Sequence, residues 1–327
     1  MIEPSKITTY DNSHFAVVDL GSNSFHLMIS HLTPRLNNSN QVKVVNKVKR
    51  KVRLASGLDQ NNLLSEQAIE RGLDCLRLFA LHLKTIPNEN IIVVATAALR
   101  IAANSADFLA QANTILPKSI KLLSGQQEAK TIYAGVVNTA TETSTTSGKI
   151  KRLVLDIGGA STEIILGYND KSKALVSLNI GCVSYRKSYF SDNKLNEGNF
   201  SRAIAAASEE IMKIEDQFVS LAWDKVLGSS GTMQALAEIL NFRQKPPSIT
   251  LPFLYEVQQA LIECKHIDDI ILDGLRADRS PVLASGLCIL IALFTRLNIT
   301  ELNLSCGALR EGLLFSLLPK ETVLLNS

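Results

Sequence analysis

The stretch Leu153–Gly167 reads LVLDIGGASTEIILG. An apolar run of buried character stops at an aspartate, turns on two glycines and resumes with a second carboxylate, Glu163, on the way back. A structural hairpin needs the glycines, which tolerate turn geometry, but neither acid. The stretch Ala16–Ser30, AVVDLGSNSFHLMIS, repeats the plan: Asp19, Gly21 and Ser24 match Asp156, Gly158 and Ser161 in order and spacing. One such turn is as well explained by an ordinary hairpin as by a site; two on one skeleton, together with LGSSGT at Leu227–Thr232, favour a phosphate site.

Two further glycine turns stand between a strand and a helix, LGSSGT at Leu227–Thr232 and SCGALREG at Ser305–Gly312. Glycines there let backbone N–H groups approach an anion, and a helix starting beside the turn adds its positive end. Several such turns converging on one cleft make a phosphate cradle. A carboxylate beside phosphate oxygens is repelled unless a divalent cation lies between them. The hairpin brings Asp156 and Glu163 close, and hard oxygen ligands of this kind suit Mg²⁺ or another divalent cation. Asp19 would complete that shell from the other module.

The chain has 327 residues, 46% of them apolar and 20% charged, which suggests two domains with ordinary cores. A formal net charge of +3 makes no case for nucleic acid, so anion recognition must be local. Five scattered cysteines, with no CxxC pair, read as reduced thiols of a cytoplasmic protein. The opening MIEPSKITTYDNSHF has no basic region followed by an apolar core, so no export signal is expected. The most apolar segment, Ser280–Thr295, falls short of the ~20 residues of a membrane span and reads as a buried helix.

Strands alternate with helices along the chain, which argues for an α/β fold. In the first module, strands are expected at Ala16–Asp19, Phe25–Ser30 and Val42–Leu58, then a helix at Ser65–Lys84 with Ile69, Leu73, Leu76, Phe79 and Leu83 on one stripe. Asn90–Arg100 reads as a short buried strand leaving for a helix; a helix around Ala106–Ala112, a strand in IKLLSG and a helix in QQEAKTIYAGVVNTA follow. The Ser/Thr-rich Thr139–Lys149 reads as a loop between modules. The second module begins with the quoted hairpin and continues with a helix at Asn199–Phe218, strand DKVLGSSG, a helix from Thr232 and PPSITLP as a loop. It closes with a buried helix near Pro281–Leu297, then a last strand, glycine turn and final helix.

Several single residues admit two readings. Lys47, Lys49, Lys51 and Arg53 fit a wet strand face and a polyanion track equally. Glu128 alone fits a solvated residue near a helix N-terminus, and Arg100 alone a surface helix residue. His26 fits packing or a supporting role better than a metal ligand, since the histidines lack metal spacing.

At these turns the sequence resembles the exopolyphosphatase / guanosine pentaphosphate phosphohydrolase (Ppx/GppA) family of the actin-like superfamily. The matching stretches are VVDLGSNSFHLMI, KRKVRLASGL, ATAALR, LSGQQEAKTIYAGV, LDIGGASTE, GCVSY, LGSSGT and GALREGLL, spanning Phe15 to Leu318. RKVRLASGL, DCLRLFALHL, VVATAALR and Ala160 are more similar to the pentaphosphate branch. The resemblance implies two actin-like (ribonuclease H-like) α/β domains around a central cleft, residues 1–135 and 136–327, with the closing helix near 308–320 packed back on the first. It implies Mg²⁺-dependent hydrolysis of a terminal phosphoanhydride, of pppGpp or polyphosphate, by a cytoplasmic homodimer with no nucleic-acid or membrane partner.

Carried over by motif, the catalytic base falls on Glu128 of the SGxxEA motif, and the metal and water-positioning acids on Asp156 and Glu163, with Asp19 from the first turn. The phosphate-binding arginine matches Arg100, and the phosphate turns match Gly21, Ser22, Asn23 and Ser24, then Gly158, Gly159 and Ser161, then Gly228, Ser229, Ser230, Gly231 and Thr232. Three departures stand out. Gln127 replaces a second acid of many members, Cys306 stands where some have aspartate or glycine, and the chain stops at Ser327, where long members carry a helical extension. The rival readings are a polyphosphatase proper, a kinase of the same superfamily and a non-catalytic alarmone sensor; the SGQQEA motif argues against the kinase, and retention of all three acids against the sensor.

Overall fold

The computed structural model describes residues 9–34, 40–140, 150–319 and 322–325. Most of the opening stretch read for an export signal, and residues 141–149 of the Ser/Thr-rich segment, lie outside the described residues. The chain divides into two compact units, residues 1–124 with 309–327, and residues 125–308.

The first unit is built from β1 (His14–Leu20), β2 (Phe25–Thr33), β3 (Asn40–Arg50), α1 (Glu66–Leu83), β4 (Ile91–Ala95), α2 (Ala97–Ile101), α3 (Ser105–Ile115) and β5 (Lys121–Leu122). The second holds α4 (Gly125–Thr139), β6 (Lys151–Ile157), β7 (Thr162–Tyr168), β8 (Lys171–Leu178), α5 (Cys182–Tyr189), α6 (Glu197–Met212), α7 (Asp216–Val219), β9 (Lys225–Ser229), α8 (Gly231–Phe242), β10 (Ile249–Thr250), α9 (Leu251–Cys264), α10 (Ser280–Arg296) and β11 (Glu301–Leu304). The chain then returns to the first unit with α11 (Leu309–Leu317), which packs on β1 and β4, and β12 (Thr322–Leu325), which pairs with β3.

Among the described residues the sheets run β12-β3-β2-β1-β4-β5 and β10-β11-β9-β6-β7-β8. In each, an antiparallel three-strand meander (β1–β2–β3, β6–β7–β8) is extended in parallel from its first strand (by β4 and β5, by β9 and β11). The repeated hairpin of the sequence is thus the start of a repeated sheet.

Ser65 caps α1 by accepting from the Ala68 N–H, and Leu73, Leu76, Phe79 and Leu83 are buried along one stripe. α10 is apolar all round, and every residue from Leu283 to Phe294 is buried among α5, α6, α8 and α9. That is the pattern of an interior helix, and among the described residues no helix is long and apolar enough to cross a membrane. Each fully buried Leu or Ile contributes about 1.5–3 kcal/mol of apolar transfer.

Several elements differ from the sequence reading. The third strand ends at Arg50 rather than Leu58, because the chain turns through Arg53 at φ 56, whose N–H bonds to the Asn23 carbonyl. The expected single helix to Phe218 breaks into α6 and α7. PPSITLP is not a loop: it contains β10 and the start of α9, with Pro252 in the first turn, where its missing N–H costs nothing. β8, α5 and β12 were not foreseen. The division falls ahead of α4 rather than after residue 135, because α4 packs on β7 and β8: a Cβ on Gly167 would lie 2.0 Å from the Tyr133 ring.

Candidate active site

In the second unit the β6–β7 register sets Asp156 directly opposite Glu163. Parallel pairing places Ser229 of β9 beside Asp156, and antiparallel pairing places Ser177 of β8 beside Glu163. Four side chains therefore form one row across the sheet, Ser229–Asp156–Glu163–Ser177. The Ser229 hydroxyl donates to Asp156 Oδ2, and Ser177 Oγ donates to Glu163 Oε1 at 2.7 Å. Glu163 is 1% exposed. Burial first, then the charges of Glu128 and Asp156, push its carboxyl well above the ordinary carboxylate range, while hydrogen bonds from Ser177 and Ser161 act the other way.

Glu128 comes from the first turn of α4 and is buried at 7% exposure, which rules out the solvated reading of that residue. The structure therefore gathers Glu128, Asp156 and Glu163 within the second unit, close enough for the charges of Glu128 and Asp156 to act on Glu163.

The Gly158–Ser161 turn is closed by the Gly158 N–H donating to the Ser161 carbonyl at 2.8 Å. The N-terminal amides of α5 brace it from behind: Cys182 N–H donates to Gly158 O, and Val183 and Ser184 N–H to Gly159 O. Gly181 makes this approach possible, since a Cβ there would lie 2.4 Å from the Ala160 nitrogen.

The β9–α8 turn is differently built. Gly228 is held in the sheet between Leu302 and Met233, and Thr232 is buried against Gly286 of α10. Ser230 has φ 113, a backbone region that costs a non-glycine residue on the order of 1–3 kcal/mol. Its Oγ is buried and, among the described residues, has no hydrogen-bond partner. A strained, unsatisfied hydroxyl at a helix N-terminus suits an incoming oxyanion.

Beside it stands a residue the sequence reading missed. Arg279, which caps α10, lays its guanidinium on Gly231, where a Cβ would meet Nη1 at 1.9 Å. The same cation acts on the Cys182 thiol, whose pKa burial raises to about 11 against the pull of Arg279. Arg279 thus stands near the starts of both α5 and α8. Its one visible signal was a basic residue immediately before the buried helix.

The fourth glycine turn does not join this group of turns. Gly307 is seated on α4, where a Cβ would lie 2.3 Å from the Gly135 carbonyl, and Ser305 Oγ closes the turn on Gly307.

The first unit carries its own turn at Gly21–Ser24. Ser22 Oγ accepts from the Ala98 N–H at the start of α2, so this serine also braces that helix. Arg100, also on α2, donates from Nη1 to the Leu123 carbonyl at 2.9 Å. Across the sheet, Asp19 faces His26, and His26 faces Lys49. Arg310 of α11 reaches His26 Nδ1 at 3.2 Å. Where the second unit pairs two acids, the first pairs an acid with basic side chains.

Two carboxylates a strand apart, one of them buried and resisting ionisation, are a donor set that a hard cation satisfies. Among the described residues no group of three or more His, Cys, Asp or Glu side chains could hold a metal by itself. Mg²⁺ binds through one or two carboxylates and keeps waters or phosphate oxygens. Asp156 and Glu163 fit that role; Asp19 belongs to the other unit.

Two hairpin-led α/β units with one repeated sheet order are the build of an actin-like fold. The model of the Ppx/GppA phosphatase family matches residues 35–321, and the chain belongs to that family. A protein of Aeromonas salmonicida named guanosine-5'-triphosphate,3'-diphosphate pyrophosphatase is 47% identical over 304 residues, 93% of this chain and 59% of that protein. One of the same name from Vibrio cholerae is 45% identical over 93% of this chain and 59% of its own length. The chain thus spans about three-fifths of these relatives, 59% in each case. Among solved structures, an exopolyphosphatase from Cytophaga hutchinsonii gives a TM-score of 0.78 at 21% identity, covering 93% of this chain and 97% of that one. A family member from Aquifex aeolicus gives 0.73 at 22%, covering 93% and 96%. At such identities the structural likeness concerns the fold.

Proposed function

We propose that the chain hydrolyses a terminal phosphoanhydride with the help of a divalent cation, with guanosine pentaphosphate as substrate and ppGpp and phosphate as products. The observation that carries this is the gathering of Glu128, Asp156 and Glu163 in the unit that also holds the Gly158–Ser161 and Ser229–Thr232 turns and Arg279. The relatives named for that nucleotide, at 45–47% identity, support the choice of substrate.

Glu128 takes the proton of a water attacking the terminal phosphorus; the bond from that phosphorus to the bridging oxygen breaks, and the shortened nucleotide leaves. Asp156 and Glu163 would hold the cation, which would supply charge neutralisation at the phosphate oxygens. The Gly158–Ser161 and Ser229–Thr232 turns, with Arg279, orient those oxygens, and the Gly21–Ser24 turn and Arg100 form an anion-binding set in the first unit. Phosphoryl transfer depends chiefly on positioning and charge stabilisation, so an inventory of many donors and one base is sufficient.

The test is phosphate release with Mg²⁺, comparing pppGpp with long and short polyphosphate at matched end concentrations. Faster turnover of pppGpp is expected. A rate that climbs with polymer length and exceeds that on the nucleotide would make the chain a polyphosphatase, and tight binding without release would make it a sensor.

A further inference from the structure

We infer that Ser177 is a positioning residue for this reaction, acting through Glu163; the inference rests on the proposed hydrolysis. Glu163 is almost fully buried, and its Oε1 accepts from Ser177 Oγ at 2.7 Å. A serine has one hydroxyl hydrogen to give, so Ser177 pins Oε1, and with a second hydroxyl from Ser161 it fixes the carboxylate while lone pairs remain for a cation. It does so without a charge of its own. A lysine at that place would orient the carboxylate equally well but would cancel the negative charge that a cation needs.

The comparison between the two sheets separates this role from mere strand packing. Ser177 faces Glu163, which faces Asp156, which faces Ser229. At the corresponding register of the first unit, Lys49 faces His26, which faces Asp19, which faces Val94. The meanders are the same, yet hydroxyls flank only the row that contains two acids. The serine bracket therefore goes with the acid pair and not with the strand geometry. Partners behind a ligand fix its orientation, and their loss typically costs about 10–100-fold in metal affinity or activity.

The experiment compares Ser177→Ala, Ser177→Thr and, as a control on the same strand, Ser172→Ala. Mn²⁺ affinity is read by electron paramagnetic resonance without substrate, and kcat and KM for pppGpp are read separately. Thermal unfolding confirms that each variant is folded. Ser177→Ala is expected to bind Mn²⁺ about 10–100-fold more weakly and to lose kcat more than it raises KM. Ser177→Thr, which keeps the hydroxyl, should bind and turn over within a few-fold of the parent, and Ser172→Ala should match it. Parent-like Mn²⁺ affinity in Ser177→Ala would overturn the inference, as would a threonine variant as impaired as the alanine one. Failure of the parent itself to release phosphate would instead count against the proposed hydrolysis, while the Mn²⁺ readout would still judge Ser177.

Discussion

Asp156 and Glu163 are direct cross-strand partners in the β6–β7 hairpin, so two carboxylates share one face of the sheet a single strand apart. Like charges in that position are unfavourable on their own. The fold nevertheless imposes the arrangement, because alternation along both strands sends their apolar neighbours Leu155, Ile157 and Ile164 into the core. The protein therefore holds a local conflict that a bound cation would relieve.

The conflict has a pH signature. Glu163 has a raised pKa in the folded protein, mainly through burial and then through Glu128 and Asp156. Its contribution to stability is full below the unfolded-chain value of about 4.3 and is lost as pH rises through the raised folded value. Metal-free protein should therefore lose thermal stability as pH climbs above the ordinary carboxylate range, and added Mg²⁺ should restore it. In Glu163→Gln both the loss and the rescue should shrink. A metal-free melting temperature that is flat across that window in the parent would contradict the account.

Glu128 is buried in the first turn of α4, and Glu128→Gln keeps its size while removing its basicity. Loss of a general base costs about 10²–10⁴ in rate. The variant should release phosphate that much more slowly in single turnovers while retaining nucleotide affinity by calorimetry. Phosphate release at the parent's rate would assign the base elsewhere.

Much of this site was legible in the sequence because its chemistry is local. The hairpin holds both acids within eight residues, Asp156 to Glu163, and its turn glycines are adjacent. Glu128 needed a motif, and its burial needed the structure. Ser177 was not legible, and Arg279 showed only as a basic residue ahead of the buried helix. Ser177 meets Glu163 only through the β7–β8 register, and β8 itself is half-buried, without the clean alternation that marks a strand. Arg279 meets Gly231 only because α10 passes the start of α8, where Gly286 lets Thr232 close in. The start of α9 was hidden by prolines that normally signal a break, although one in a first turn signals a beginning.

Arg279 carries a prediction of its own. Its guanidinium stands at the start of α8, and a charge-assisted hydrogen bond is worth about 1.5–3 kcal/mol. Arg279→Ala should raise KM for pppGpp by roughly tenfold or more, at 1.4 kcal/mol per tenfold. Arg279→Lys should recover only part of this, because an ammonium lacks the planar fork. An unchanged KM in Arg279→Ala, measured by initial-rate phosphate release, would remove this residue from the site.

Gly181 is the test of the turn's support. Its φ of −148° is ordinary extended backbone, so any cost of Gly181→Ala must come from proximity alone. The added Cβ would lie 2.4 Å from Ala160 N and 2.5 Å from the Gly159 carbonyl carbon and oxygen. These are backbone atoms, which cannot swing aside as a side chain can, so the Gly158–Ser161 turn and the start of α5 must separate. That separation strains the bonds from Cys182, Val183 and Ser184 to the Gly158 and Gly159 carbonyls. Overpacking of this kind costs about 1–3 kcal/mol in stability. Because the displaced atoms belong to the candidate phosphate turn, and a misplacement of ~1 Å can cost ~10²-fold in rate, kcat should fall further than the stability loss explains. Thermal unfolding and steady-state phosphate release on the same preparation measure the two effects. A Gly181→Ala protein that melts and turns over like the parent would mean that α5 does not support the turn.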